Sequence, residues 1–198
     1  MVWKLAVSLL LGYLLGSVMV GIVLTKLFYG GDVRAQGSGN AGATNVARIF
    51  GWKAGVFTLL GDVLKTAAAM LLGKLLCGMP GETAAAFGCL MGHCFPLYFH
   101  FRGGKAVSVS AAIGLMFSWK LLVILVVTFI IGFLLSRRVS VGSMAAALVY
   151  PFGMLFLGMF PPYAVGLGFF IMIFVIFMHR ANIRRLIDGT EPKFRFGK

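Results

Sequence analysis

Acidic residues are scarce in this chain: five Asp and Glu stand against 18 Lys and Arg in 198 residues, and only 12% of positions are charged. So few charges cannot cover the 60% of residues that are hydrophobic, which excludes an ordinary soluble domain. Cysteine is scarce too. Cys77, Cys89 and Cys94 are odd in number and lie in apolar segments, so no disulfide framework is expected and all three read as small core residues. His93 and His100, near Cys89, lack ligand spacing and an acidic second shell, which sets a metal site aside. No basic stripe is interleaved with exposed aromatics, so nucleic acid is not an expected partner. Internal repeats, a linker between domains and a cleavable signal pattern are also missing, and residues 1–198 read as a single domain.

What is present is apolar sequence in long runs, with mean hydropathy +0.98. Seven segments stand out, at about 5–28, 54–77, 84–101, 106–119, 121–136, 141–160 and 163–178. They predict an all-α, multi-pass membrane bundle. The fourth segment is short, since a helix over 106–119 reaches only about 20 Å. Basic residues gather on one side of this arrangement. With the N-terminus outside, the cytoplasmic side receives Lys26, Arg34, Arg48, Lys53, Arg102, Lys105, Arg137 and Arg138. The tail adds Arg180, Arg184, Arg185, Lys193, Arg195 and Lys198, and an odd number of spans leaves the C-terminus in the cytoplasm. Gly12/Gly16 and Gly88/Gly92 are small-xxx-small pairs suited to close helix packing. Asp62 and Lys65, three apart inside the second span, are expected as a mutual ion pair facing the bundle.

Three cytoplasmic segments place cations beside glycine and small polar residues. The first is a long loop containing Gly37-Ser38-Gly39-Asn40-Ala41-Gly42-Ala43-Thr44-Asn45-Val46-Ala47-Arg48. Its glycines let backbone N–H groups approach an anion. Ser38, Asn40, Thr44 and Asn45 can add hydrogen bonds, and Arg48 adds a planar fork suited to phosphate. The formal G-x-G-x-x-G match at Gly37, Gly39 and Gly42 has no βαβ unit around it, and Ala43 stands where a P-loop would have lysine. The second segment runs from Gly92-His93 to Gly103-Gly104-Lys105, where two glycines are expected to end a helix and Lys105 to supply a point charge beside exposed N–H groups. The third is His179-Arg180-Ala181-Asn182, with Arg185 and Glu191 following. His179, Asn182 and Arg185 fall on one helix face that could turn an imidazole, an amide and a guanidinium toward a phosphate. Ser140 and Ser143, beside Arg137 and Arg138, either cap the sixth span or touch substrate.

Together these segments closely resemble the bacterial membrane acyl-phosphate:glycerol-3-phosphate acyltransferases, the PlsY family. The resemblance rests on Gly37–Arg48, Gly92–Lys105 and His179–Glu191, in that order, and on Gly16-Ser17 in the first span. It implies a seven-helix bundle in the bacterial inner membrane, embedded in lipid, with its active site toward the cytoplasm. It implies transfer of a fatty acyl group from acyl phosphate to the 1-hydroxyl of sn-glycerol 3-phosphate, giving 1-acyl-sn-glycerol 3-phosphate and phosphate without a cofactor. By the family's pattern Ser38, Arg48, His179 and Asn182 are the essential polar residues. Gly39, Asn40, Gly42, Thr44, Asn45, Gly103, Gly104, Lys105, Ser140, Ser143 and Arg185 are expected around the substrate phosphates, and Glu191 has a more structural role. The chain departs from the pattern at Ala106, where the family usually has a further glycine, and at Ala181, where glutamate is common. Thioester-using glycerolipid acyltransferases resemble one another in an H-x-x-x-x-D pair; here the residues five after each histidine are Tyr98, Lys105 and Arg184. The competing reading is a small anion or organophosphate transporter, which would place its groups near the midplane on broken helices, often between repeats.

Overall fold

The computed structural model describes residues 1–194, so Arg195 and Lys198 of the basic tail lie outside the described residues. Among those described, every regular element is helical: α1 (Val2–Gly16), α2 (Val20–Tyr29), α3 (Ala43–Phe50), α4 (Trp52–Cys94), α5 (Val107–Phe117), α6 (Trp119–Ser136), α7 (Val139–Leu157), α8 (Pro162–Met178) and α9 (Arg180–Ile187), with short 3₁₀ turns at Val33–Ala35 and Leu97–Phe99. The chain forms two compact units, Met1–Met116 and the part from Phe117 onward.

In the first unit α4 is a hairpin rather than a rod. Cys77 and Gly78 leave helical geometry, Gly78 at φ +62°, and Pro80 falls in the first turn of the returning arm, where its missing N–H costs nothing. Contacts then step outward in pairs from the bend: Gly73 against Gly81, Thr66 against Cys89, Lys65 against His93. The second and third expected spans are therefore the two arms of one hairpin. The expected glycine pairs do pack helices. A Cβ on Gly12 or Gly16 would strike the backbone of Ala85 or Cys89, and one on Gly88 or Gly92 the backbone of Leu9 or Tyr13.

Two expected boundaries are corrected. The first span breaks at Ser17–Met19. There Ser17 Oγ donates back to the Tyr13 carbonyl (2.8 Å), while the Lys65 ammonium takes the carbonyls of Gly16 (3.1 Å) and Val18 (2.7 Å). The third span ends at Cys94 instead of near 101, because Pro96 has no N–H and drives Phe95 out of helical geometry. Below the break, Met19, Ile22, Val33, Ala41, Val46 and Ala54 form a fully buried cluster under the first loop.

In the second unit α6 packs on α7 where Gly132 meets Gly142, and α7 packs on α8 where Gly168 meets Met154 and Pro151. Helix α9 leaves α8 at a 54° bend. By length and hydropathy, four stretches among the described residues are able to cross a membrane, and the bent α8–α9 pair makes a fifth. The stretch 52–99 counts once there although it folds back on itself, and α5, at 11 residues, is as short as the sequence suggested. Leu75, Leu135 and Phe156 stand more than four-fifths exposed, as side chains facing lipid would. Of the cysteines, all free, Cys89 and Cys94 are buried and Cys77 is half-buried.

Candidate functional site

The first loop is organised around one buried amide. Asn45 is 2% exposed, and its Oδ1 accepts the Ser38 N–H at 2.9 Å. Its Nδ2 faces the carbonyls of Val33, Gln36 and Asn40 at 3.0–3.1 Å. Gly37 has φ +62°, and a Cβ there would overlap Asn45 Oδ1, so both conformation and space require glycine. Asn40 closes its own turn by accepting the Gly42 N–H at 2.9 Å. Arg48 lies in the last turn of α3, exposed, with one guanidinium nitrogen 3.4 Å from Asn45 Oδ1. Ser38, Gly39 and Arg48 are thus presented outward on a loop braced from inside by Asn45. Asn45, expected as a phosphate ligand, is the loop's internal brace instead.

The sequence reading gave no role to a neighbouring pair. Asp32 binds Arg34 (2.8 Å), and Arg34 also donates to the carbonyls of Phe99 (2.9 Å) and Arg102 (3.1 Å), tying the first loop to the segment after α4. The hydrogen bonds from Arg34 hold the Asp32 carboxyl below the usual carboxylate range. The D-x-R spacing was the available signal; the two carbonyl partners lie too far along the chain to be read from it. Asp32, Arg34, Ala35, Gly39, His100 and Arg102 line an open cleft of about 660 Å³.

The second segment differs from its expectation. His100 and Phe101, both at φ +56°, reverse the chain so that the Gly103 and Gly104 N–H groups donate back to the carbonyls of Cys94 (3.2 Å) and His93 (2.9 Å). Those donors cap the end of α4 and are not exposed for an anion. Glycine is needed at both positions for packing: a Cβ on Gly103 would strike the His93 carbonyl, and one on Gly104 the imidazole Nε2. Lys105 follows, half-buried, and then Ala106, fully buried at φ +68°. The left-handed backbone there accounts for glycine as the family's usual residue.

In the second unit Glu191 is the organiser. It is 7% exposed, accepts from Ser140 Oγ (2.6 Å) and Asn182 Nδ2 (2.7 Å) on Oε1, and pairs with Arg185 Nε (2.7 Å) through Oε2. Its carbonyl takes Arg138 Nε at 3.1 Å. Burial pushes the Glu191 carboxyl up, but the hydrogen bonds from Ser140, Asn182 and Arg185 outweigh it and hold the group below the usual range. Neither serine caps α7: Ser140 binds Glu191, and Ser143 donates to the Val139 carbonyl (2.9 Å). His179, 3% exposed at the α8–α9 bend, donates from Nδ1 to the Val175 carbonyl (2.8 Å), which puts the lone pair of the neutral ring on Nε2. So His179, Asn182 and Arg185 do share one end of the unit, but the amide and the guanidinium Nε point at Glu191.

Helices of membrane-crossing length, with a braced glycine loop at the end of one of them, define the class as integral membrane protein. The chain belongs to the glycerol-3-phosphate acyltransferase family, whose model matches residues 6–189. Among relatives named glycerol-3-phosphate acyltransferase, that of Carboxydothermus hydrogenoformans is 40% identical over 93% of each chain. That of Geobacillus kaustophilus is 39% identical over 96% of each, and that of Brucella canis 41% identical over 94% of this chain and 91% of its own. The structure is similar to that of PlsY, an integral membrane glycerol 3-phosphate acyltransferase. Against its glycerol 3-phosphate form the TM-score is 0.90, with 33% identity over 96% of each chain. Against its lysophosphatidic acid form the TM-score is 0.87, with 31% identity.

Proposed function

We propose that this protein transfers a fatty acyl group from acyl phosphate to the 1-hydroxyl of sn-glycerol 3-phosphate, giving 1-acyl-sn-glycerol 3-phosphate and inorganic phosphate. The observation that carries this reading is the likeness, along nearly the whole chain, to PlsY in its glycerol 3-phosphate form. The donor assignment draws on the chain's own residues. An acyl phosphate is a mixed anhydride, already activated, and the H-x-x-x-x-D pair that would serve a thioester is missing from the sequence.

In this reading the protein positions two anions that repel each other, and needs no cofactor to do so. Ser38 and the Arg48 guanidinium, presented by the braced loop, hold phosphate oxygens, and Lys105 supplies a second charge. The hydroxyl oxygen attacks the acyl carbonyl carbon, the ester C–O bond forms, and the bond from that carbon to the phosphate oxygen breaks. The hydroxyl proton leaves with the phosphate or through His179 Nε2, with Asn182 beside it. We place the enzyme in the bacterial inner membrane as seven passes, N-terminus outside, because that orientation puts most basic residues in the cytoplasm. The whole chain, 1–198, then acts as one catalytic domain, with membrane lipid around it.

Purified protein in lipid, given glycerol 3-phosphate with either palmitoyl phosphate or palmitoyl-CoA, tests the donor. Turnover is expected from palmitoyl phosphate alone. Comparable rates from both would overturn the donor assignment while leaving the acceptor intact.

A further inference from the structure

The first unit buries a cluster of ionisable groups that the roles above leave unused. Asp62 and Lys65 on the first arm of α4 and His93 on the second are 1%, 8% and 1% exposed. Ionisable groups inside a membrane helix are costly and point to a function when they persist. The Lys65 ammonium donates to the Gly16 and Val18 carbonyls and to His93 Nδ1 (3.1 Å), with Asp62 Oδ1 beside it at 2.9 Å. With Nδ1 accepting, the neutral imidazole carries its proton on Nε2. That side of the ring backs directly onto Gly104, and the His93 carbonyl accepts the Gly104 N–H. On the other side of Lys105, Ser108 at the start of α5 donates to Asp62 Oδ2 at 2.7 Å. Both flanks of Lys105 are therefore fastened to one buried cluster.

We propose that Asp62, Lys65 and His93 are positioning residues that set where Lys105 meets its phosphate, a role that rests on reading Lys105 as a phosphate ligand. An ion pair suits this task better than apolar packing. Its charges and protons accept one arrangement, whereas methyl groups of similar volume would accept several. The imidazole is the spacer: it passes the position of the Lys65 ammonium to the Gly103–Gly104 turn, and Ser108 fixes the chain beyond it. A ring displaced by an ångström moves the turn, and misplacement of that size is able to cost up to about a hundredfold in rate.

The test is a size swap in the purified full-length enzyme, read in whichever KM, for glycerol 3-phosphate or for palmitoyl phosphate, Lys105→Ala raises. Gly104→Ala alone should raise that KM at least about tenfold, since its methyl group meets the ring. His93→Ala alone should raise it several-fold, and the double variant should lie within about threefold of His93→Ala, because the new methyl group occupies the vacated space. A double variant as poor as the product of the two single effects would overturn the proposal. Should His93→Ala fail to fold, His93→Gln and His93→Asn replace it. The glutamine amide reaches the Nε2 position and props Gly104, so it should keep KM closer to wild type than asparagine, which reaches only Nδ1; the reverse order overturns the proposal. Lys105→Ala separates the two ways of failing. Wild-type KM for both substrates in Lys105→Ala removes the reading of Lys105 itself, whereas a raised KM there with unaffected His93 variants removes only the positioning role.

Discussion

In the Gly37–Arg48 loop, Gly37 and Gly39 take left-handed φ of +62° and +68°, whereas neither Gly103 nor Gly104 has a positive φ and the left-handed residues around them are His100, Phe101 and Ala106. The first loop ties four of its own backbone groups to the Asn45 side chain and turns a serine and an arginine outward. The second spends its N–H groups on the end of α4 and turns inward, onto His93. The same composition of glycine and cation therefore makes two different objects. One is an outward cradle held open from inside, and the other is a rigid bracket carrying a lysine. A glycine-rich string says that backbone comes close to something; which thing, ligand or neighbouring helix, is decided by residues elsewhere.

The comparison is broken most severely at Asn45. Asn45→Ala removes the acceptor for Ser38 and the donor facing three carbonyls, each unsatisfied buried group costing about 1–3 kcal/mol. Activity should fall by about a hundredfold or more. Thermal melting in detergent should show a loss of roughly 3 kcal/mol. A near-normal enzyme would mean the cradle stands without its brace. Arg48→Lys probes the cation instead. It gives the first loop the kind of point charge the second already has in Lys105, at the loss of the fork, worth about 1.5–3 kcal/mol in a charge-assisted contact. Turnover should drop roughly ten- to hundredfold with folding unchanged. Full turnover would show that both segments need charge only.

How much of this was legible in the sequence follows from where each cause lies. The apolar segments were readable because hydropathy is a local property. The break at Ser17–Met19 was not, since the groups that take its carbonyls sit on Lys65, far along the chain. The ion pair of Asp62 with Lys65 was readable from helical spacing; its link to His93 depends on the hairpin fold of α4. Asn45 and Asn182 were singled out from the sequence as polar residues of the expected phosphate site, and each sits in the first turn of a helix, α3 or α9. Their partners, the backbone of the loop and Glu191, made them internal braces, a distinction that composition does not carry.

Glu191 does for α7 and α9 what Asn45 does for the first loop, but with a titrating group, and pH separates the two braces. Because its carboxyl is held below the ordinary value of about 4.5, its contribution is fully present above that value and is lost as pH falls through the lowered one. Glu191→Gln should cost about 1.5–3 kcal/mol at neutral pH, the range for hydrogen bonds to a charged group. The gap between its melting temperature and that of the wild type should close as pH drops below about 4. Asn45→Ala should show no such convergence. A gap for Glu191→Gln that stays constant down to pH 3 would mean the carboxylate charge plays no part in the joint.

The smallest effect belongs to Ala106, where the bracket departs from the family's usual glycine. At φ +68° an L-residue carries a strain of about 1–2 kcal/mol that glycine does not. Against that gain, Ala106→Gly loses a buried methyl group, worth about 0.8 kcal/mol, and gives the unfolded chain more freedom by about 0.5–1 kcal/mol. The opposing contributions nearly cancel, so the variant should melt within about a degree or two of wild type. Ala112, equally buried but inside α5, has no strain to release, and Ala112→Gly should melt several degrees lower, by about 1–2 kcal/mol. The difference between the two alanines is the measurement. If Ala106→Gly loses as much as Ala112→Gly, the left-handed backbone at 106 carries no strain. The bracket's geometry would then owe nothing to the residue that follows its lysine.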